Sequence, residues 1–461
     1  MGGHESKEKE AQILDIFSQE ERVHVHALFL KIVGNQHALT EPFLKKYVTS
    51  WLPQIDQLWR TIYECQVNKG HVKDNKVSEL RFGAFLGQVF KGNYGEKANI
   101  LSLLSGQVGS QVHLYQLYKT VCSFVQCYLD ITAKDHATWK CSCNADDVGR
   151  MSQNILALDS IPRADDTSQY RDCYEVENWI AREPMFLRMF DRVFHKIFPV
   201  LAKHNQDTML ESFLPVVTNV DWSKTSTILD TLSISFINRN IPREQQKTWR
   251  LLYSNRIHGD SFSQLTRFIM GKGPSVMVVQ DSNGHLFGCY VSTSWEIKPT
   301  FYGGENCFLF TLKPRYGAYN TTGYNNNFMY LNQGQETLPN GLGLGGQLEY
   351  FGLWIDSSFN SGHSKAKPKC TTYGSPQLSC HPEFTVECLE VWAVGPEKKK
   401  NDSDDEEEAK TSILDKDLAA KAILELAGKT QHSEGIRDLI EDEPEMSAEM
   451  KRKMNTIPKL L

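Results

Sequence analysis

The stretch Val276-Met-Val-Val-Gln-Asp-Ser-Asn-Gly-His-Leu-Phe-Gly-Cys-Tyr-Val291 sets two apolar runs, Val276 to Gln280 and Leu286 to Val291, on either side of a turn sequence. β-Branched and aromatic residues in short runs favour strands, and Asn283-Gly284 supplies the positive φ values of a tight hairpin turn. The same pattern returns at Phe308 to Leu312, Phe328 to Leu331, Gly352 to Ile355 and Phe384 to Val394. Short strands with turn signals and few helices between them predict antiparallel sheets packed as a sandwich. In the last run Phe384, Val386 and Cys388 share one face before Leu389, Val391 and Ala393 take over, so a β-bulge is expected near Cys388.

The chain before these strands reads as helical. Ser18 to Glu21 is a capping box, followed by Val25, Leu28, Phe29 and Ile32 at helical spacing before Gly34. A second helix follows Thr40 and stops at Pro53. A similar unit ends in Val77 to Leu86, giving a layout like that of EF-hand domains. The calcium ligands are missing, because Gly34 to Glu41 and Asn68 to Lys76 lack the regularly spaced carboxylates and final Glu that a calcium loop needs. Helices are also expected at Gly95 to Ser105 and Val112 to Ile131, then a loop-rich connection from Lys134 to Tyr174. After Pro184, the stripe Phe186, Met189, Phe190, Val193, Phe194 and Ile197 predicts a buried helix in which His195 packs rather than ligates. Thr227 to Asp230 reads as a helix start, Pro242 as the start of another helix near Trp249, and Ser261 to Gln264 as a further capping box.

Beyond Val394 the composition changes. Pro396 to Lys400 and the acidic run Asp404 to Glu408 read as a flexible linker, and Ser412 with Asp415 caps a helix carrying Leu414 and Leu418. At the other end, Met1-Gly2-Gly3-His4-Glu5-Ser6 fits the N-myristoylation pattern at Gly2. One acyl chain holds a membrane only marginally, and Glu5, Glu8 and Glu10 offset Lys7 and Lys9, so a protein partner on the membrane is expected to supply the second hold.

Composition narrows the function classes. A net charge of −6 and a pI near 6.2 give no basic footprint for nucleic acid. No apolar run reaches the roughly 18 residues of a membrane helix, which with the N-terminal sequence leads to the expectation of a soluble, intracellular chain. Eleven cysteines lack regular spacing and read as free thiols, and Cys141-Ser-Cys143 has no second pair to complete a zinc site.

Three clusters invite chemistry, and each has a structural alternative. His258, Asp260 and Ser261 suggest a hydrolase, but adjacency does not orient a base and a nucleophile in space, whereas Ser261 suffices as a helix cap. Gly341-x-Gly343-x-x-Gly346 matches a dinucleotide fingerprint without the flanking strand and helix, so its glycines are expected to serve tight turns or close partner contact. Cys289 and Cys388 fall in strands, while Cys370 and Cys380 fall in loops where a thiol is accessible. The long polar loops Tyr316 to Asn327, with Tyr324 and Asn325, and Asn360 to Pro376 join the turn His258-Gly259 and helix residues Leu414 and Leu418 as partner-contact candidates.

Leu251-Leu-Tyr-Ser with His258-Gly-Asp-Ser-Phe262, Val278-Val-Gln-Asp281 with Phe287-Gly-Cys-Tyr290, Phe308-Leu-Phe310, Leu353-Trp-Ile-Asp356 and Leu389-Glu-Val-Trp-Ala393 resemble, in order, the motifs of TLDc domains. The N-terminal Met-Gly, the EF-hand-like front half and Ser412 to Asp415 are similar to the myristoylated, lysosome-associated members of that family linked to mTOR signalling. The resemblance implies an α+β chain whose β-sandwich is flanked by helices. It also implies mTOR complex components and vacuolar proton-pumping ATPase subunits as partners, a place on the cytosolic face of the lysosomal membrane and in the cytoplasm, and a family link to oxidative-stress resistance. No catalytic mechanism and no cofactor come with it. The resulting organisation is an acylated segment at 1–12, a calcium-free EF-hand-like helical region at 13–133, a loop-rich connection with helices at 134–224, the TLDc domain at 225–396, an acidic linker at 397–411 and a C-terminal helix and tail at 412–461. The leading expectation is a non-enzymatic adaptor, and the alternative is an oxidation-protective enzyme using a loop thiol.

Overall fold

In the computed structural model, described for residues 14–397 apart from 52–57, 69–75, 136–138, 167–168, 202–212 and 366, the capping box at Ser18 is made in full. The Glu21 amide donates to Ser18 Oγ at 3.3 Å, and the Ser18 amide donates to Glu21 Oε2 at 2.9 Å. These bonds start α1 (Gln19–Val33), which Gly34 ends with φ of 62°. Helices α2 (Glu41–Trp51), α3 (Leu58–Asn68) and α4 (Glu79–Lys91) complete two helix–loop–helix units. Leu39 and Val77 join their loops by exchanging backbone hydrogen bonds of 2.8 and 2.9 Å. Next come α5 (Tyr94–Leu104), β1 (Gln111–His113), α6 (Leu114–Asp135), α7 (Ala145–Ile155), β2 (Tyr170–Asp172), α8 (Cys173–Arg182) and α9 (Pro184–Ile197), with β1 and β2 antiparallel.

The aromatic stripe of α9 behaves as its spacing predicts. Phe186, Phe190 and Phe194 meet Phe124 of α6 at ring distances of 5.8, 5.2 and 5.8 Å. His195 packs beside Phe90, and burial lowers its pKa. Helix α7 lies within the connection expected to be loop-rich. Its signal was Asn144 with Asp147, a reciprocal cap whose two bonds are 2.9 and 3.0 Å.

After β3 (Val216–Val217) and α10 (Thr231–Asn240), capped by Asp230, the sheet region begins. Trp249 does not follow a new helix as expected. Pro242 opens only a 3-10 turn, Arg243–Gln245, and Trp249 lies in β4 (Thr248–Ser254). The one-turn α11 (Asn255–His258) and α12 (Phe262–Ile269) precede β5 (Ser275–Asp281), β6 (Leu286–Val291), β7 (Lys298–Tyr302), β8 (Phe308–Lys313) and β9 (Gly317–Asn320). Then follow β10 (Met329–Asn332), β11 (Gly341–Gln347), β12 (Tyr350–Asp356), β13 (Ser361–His363) and β14 (Glu383–Val394). Their order is β7-β10-β11-β12-β13-β14-β5-β6-β8-β9, with β4 also on β14 and β3 parallel to β4.

Strand alternation turns this sheet into two layers. On β5, Met277 and Val279 face a core shared with Leu309 of β8, Leu331 of β10, Leu342 of β11 and Leu353 of β12. Val276 and Val278 face the opposite core, shared with the helices. The architecture is therefore α+β, with helices covering the outer face of one layer of an antiparallel sandwich. The bulge near Cys388 is present as a register shift between Val386 and Cys388, and it turns Leu389 and Val391 toward the inter-sheet core. The β5–β6 turn differs in detail from the expected one: Gly284 alone takes positive φ, at 80°, and Asp281 Oδ1 accepts the Asn283 and His285 amides at 3.0 and 2.8 Å.

The glycine run is itself a buried strand. A Cβ at Gly343 would lie 2.5 Å from Phe351, and Trp354 crosses the same place. Rings from β12 lie down on the glycine backbone of β11, joined by Tyr330 from β10 on its other side. These glycines exist so that aromatic rings can take the space.

Candidate functional site

His258 follows from the way β4 ends. The Ser254 amide donates to His258 Nδ1 at 3.1 Å, and the ring sits 5.5 Å from Tyr253 and 4.3 Å from Phe268. Gly259, at φ 80°, accepts the Tyr253 hydroxyl at 2.6 Å. Ser261 Oγ accepts the Gln264 amide as the cap of α12, and Asp260 Oδ1 accepts from Asn255 at 2.8 Å. Every member of the sequence triad is thus used in holding this turn. Asn255, which sequence reasoning missed, also accepts the Leu389 amide at 3.0 Å and donates to the Glu387 carbonyl at 3.3 Å, filling the gap where β14 leaves β13 for β4.

The second candidate loop is tied down by side chains. Asn325 Oδ1 accepts Thr372 Oγ1 at 2.7 Å, its Nδ2 donates to Thr371 Oγ1 at 3.1 Å, and Thr322 Oγ1 donates to the Thr371 carbonyl at 2.6 Å. Asn327 donates to the Gly346 carbonyl at 2.7 Å, linking the loop to the β11–β12 hairpin. On this platform Tyr324 is 80% exposed, and the hairpin adds Tyr350 at 58%. The structure does not bring this loop to the His258 turn. Asn327 precedes β10, whereas Gln333 follows it and bonds Ser263 and Thr266 of α12, so the two candidates occupy opposite ends of that strand. Gly2, Leu414 and Leu418 lie outside the described residues.

The thiols separate by burial. Cys370, expected to be accessible, is 4% exposed because its loop folds back into the inter-sheet core, whereas Cys380 is exposed. Burial pushes the Cys289 thiol well up and, with Glu390 adding, raises Cys388 to about 12. Cys141 and Cys143 sit against Thr231 and Asp230 at the head of α10, their thiols raised by burial to about 11 and 12. Among the described residues no three His, Cys, Asp or Glu side chains gather as metal ligands.

A polar cleft of about 500 Å³ lies where β13 meets β14 and the β5–β6 turn, lined by Trp354, Asp356, His363 and Glu383 among others. His363 Nε2 is buried without a hydrogen-bond partner, and Trp354 stacks 5.9 Å from the ring. Burial, then Lys365, lowers its pKa to about 4 against the opposing pull of Glu383 and Asp356. No linear motif marks this cleft, because its walls come from separate strands.

A TLDc-domain model matches residues 222–395. The Gallus gallus protein named MTOR-associated protein MEAK7 is 35% identical, over 93% of this chain and 97% of its own length. The chain belongs to the TLDc-domain family. The Homo sapiens protein of the same name is 47% identical over 58% of this chain and 57% of its own. Oxidation resistance protein 1 of Xenopus laevis is 33% identical over 41% of this chain and 21% of its own. The TLDc match takes in β4 to β14 and both candidate loops, so the surfaces described above belong to the family's domain.

Proposed function

We propose that this chain is a non-enzymatic, membrane-associated adaptor that supports mTOR signalling and binds vacuolar ATPase subunits through its TLDc domain. Its site of action is the cytosolic face of the lysosome, with a cytoplasmic pool. The observation that carries the reading is the similarity, along nearly the whole chain, to a protein whose name records mTOR association. The side chains of His258, Asp260 and Ser261 are spent on capping and turning, which favours an adaptor over a hydrolase. In this reading Gly2 carries a myristoyl group, Tyr324 and its loop contact a partner, and the segment with Leu414 and Leu418 adds to that contact.

Capture of partners from lysosomal membranes with the full chain, Gly2→Ala and a deletion from Ser412 tests it. The expected result is recovery of ATPase subunits and mTOR complex components, with membrane association lowered by Gly2→Ala and capture weakened by the deletion. Recovery of neither partner class removes the adaptor reading. The similarity to Oxidation resistance protein 1 and the exposed Cys380 favour one second reading, a thiol that consumes peroxide. Peroxide turnover by the purified chain that vanishes in Cys380→Ser decides for that reading.

A further inference from the structure

Where α8 ends and α9 begins, four arginines converge on one cavity of about 490 Å³. Arg182 is the last residue of α8, Arg188 lies one turn into α9, Arg239 comes from the last turn of α10, and Arg243 starts the 3-10 turn before β4. Among the described residues lining the cavity the one carboxylate is Glu183, whose Oε1 accepts from Arg239 at 2.5 Å. Four guanidiniums against one carboxylate leave a surplus of three positive charges on a chain whose net charge is −6.

Arg182, Arg188 and Arg243 are exposed and Arg239 half-buried, so water screens part of their mutual repulsion and a bound anion would offset the rest. Two of the guanidiniums are also stacked on rings, Arg239 while it keeps its bond to Glu183. Arg188 lies over the Phe213 ring at 5.4 Å and Arg239 over Phe236 at 5.3 Å, and stacking on a ring face leaves the in-plane N–H groups of a guanidinium free to bond sideways. Glu183 stands at the N-cap of α9 but makes no cap hydrogen bond, so the positive end of that helix dipole adds to the field.

We propose that this cavity binds a compact ligand carrying clustered phosphate groups, either free in solution or as the head group of a lipid. Planar guanidiniums meet phosphate oxygens in pairs, which a carboxylate ligand of single charge would not exploit at four points. The arginines line one concavity from four separate elements and not from one helix face. That arrangement suits phosphates projecting in several directions from a small core better than one phosphate on an extended peptide. The volume is that of an ordinary small-ligand site.

The test uses the full chain and leaves Arg239 intact, since it holds the Glu183 pair. Inositol hexakisphosphate is titrated calorimetrically into the native chain and into Arg182→Gln, Arg188→Gln and Arg243→Gln, singly and combined. A control variant carries the same charge change elsewhere, Lys272→Gln with Lys298→Gln and Lys365→Gln. The expected result is saturable binding that weakens with salt, falls roughly tenfold per arginine removed and is unaffected in the control. Thermal unfolding of each variant confirms that it is folded. Phosphatidylcholine vesicles with and without a phosphatidylinositol bisphosphate then separate the sources. Recruitment by the phosphorylated lipid that inositol hexakisphosphate displaces assigns the lipid head group, and binding of the soluble probe alone assigns a free polyphosphate. Equal binding by the triple-arginine variant, equal loss in the control, or binding of a phosphoserine peptide in preference to the polyphosphate overturns the proposal. Neither set of outcomes depends on the adaptor reading, because no mTOR or ATPase component is present.

Discussion

His363 titrates against the fold. Its pKa is lowered to about 4, first by burial and then by Lys365, from an ordinary value of 6.5, so between those values the unfolded chain binds a proton that the folded chain does not. Stability from this residue is therefore whole above about pH 6.5, falls as pH drops toward 4 and is constant below. Solvent reaches the cleft, so the expected loss is on the order of 2 kcal/mol rather than the full value of the shift. Denaturant unfolding of the native chain and His363→Phe from pH 7 to pH 4 measures it. The variant is expected to lose less stability over that range, and parallel curves for the two proteins would contradict the assignment. Glu390 makes a complementary case. It is fully buried on β14 and accepts from Thr227 Oγ1 at 2.7 Å, the Ile228 amide at 3.0 Å and Trp392 Nε1 at 3.1 Å. In Glu390→Gln the new amide N–H group must face one of those donors, at a cost of about 1–3 kcal/mol seen as a lowered denaturant midpoint with unchanged slope.

Strands were legible where their own side chains carry the signal. The alternation in β5 and β6 and the phase change at Cys388 could be read directly, because adjacent residues in one strand face opposite cores. β11 was not legible. Leu342 and Leu344 point into the inter-sheet core, but its other face is glycine backbone, and the rings that cover that face, Phe351 and Trp354, belong to the next strand. Leu342 and Leu344 alternate as in a strand, but the glycines between them carry no side chain to mark the second buried face, so a linear reading defaults to turns. Trp249 differs from its reading for a related reason: its position is set by pairing with Val394 across the β4–β14 ladder and by packing near Trp392, rather than by Pro242 a few residues before it. The candidate site was legible only in part. Tyr324 stands exposed as a long polar loop suggests, but the cleft at His363 and the arginine cavity are assembled from separate elements and have no linear signature. The covering of β11 makes a direct prediction. Gly343→Ala introduces a methyl 2.5 Å from Phe351 on a backbone that alanine otherwise tolerates, so the cost is steric, about 1–3 kcal/mol. Combining it with Phe351→Leu, which opens room above β11, is expected to recover part of that loss in thermal melts. Two strictly additive penalties would mean that the ring is not what excludes the methyl.

At the scale of the molecule, the helical half and the sandwich share a core. Trp139, between α6 and α7, lies 5.7 Å from Trp222, 6.0 Å from Trp249 and 5.1 Å from Trp392, and its Nε1 donates to the Pro215 carbonyl at 2.7 Å. One side chain from the helical half thus packs on the outer face of β4 and β14, while Trp249 reaches back to Asn238 of α10 at 3.2 Å. Sequence composition draws a boundary near residue 225, but the apolar surface of the first layer is completed only by helices on the other side of that boundary. The two parts should therefore be coupled in stability. Removing the indole in Trp139→Ala leaves a cavity among three other tryptophans and an unbonded carbonyl, at a cost of about 3–5 kcal/mol. Hydrogen exchange read by mass spectrometry locates where that cost is felt. If the core is shared, exchange accelerates both in α6 and α10 and in β4 and β14, by similar factors. Acceleration confined to the helices, with β4 and β14 unchanged, would show that the sandwich holds without its helical cover and that the two halves are stable separately.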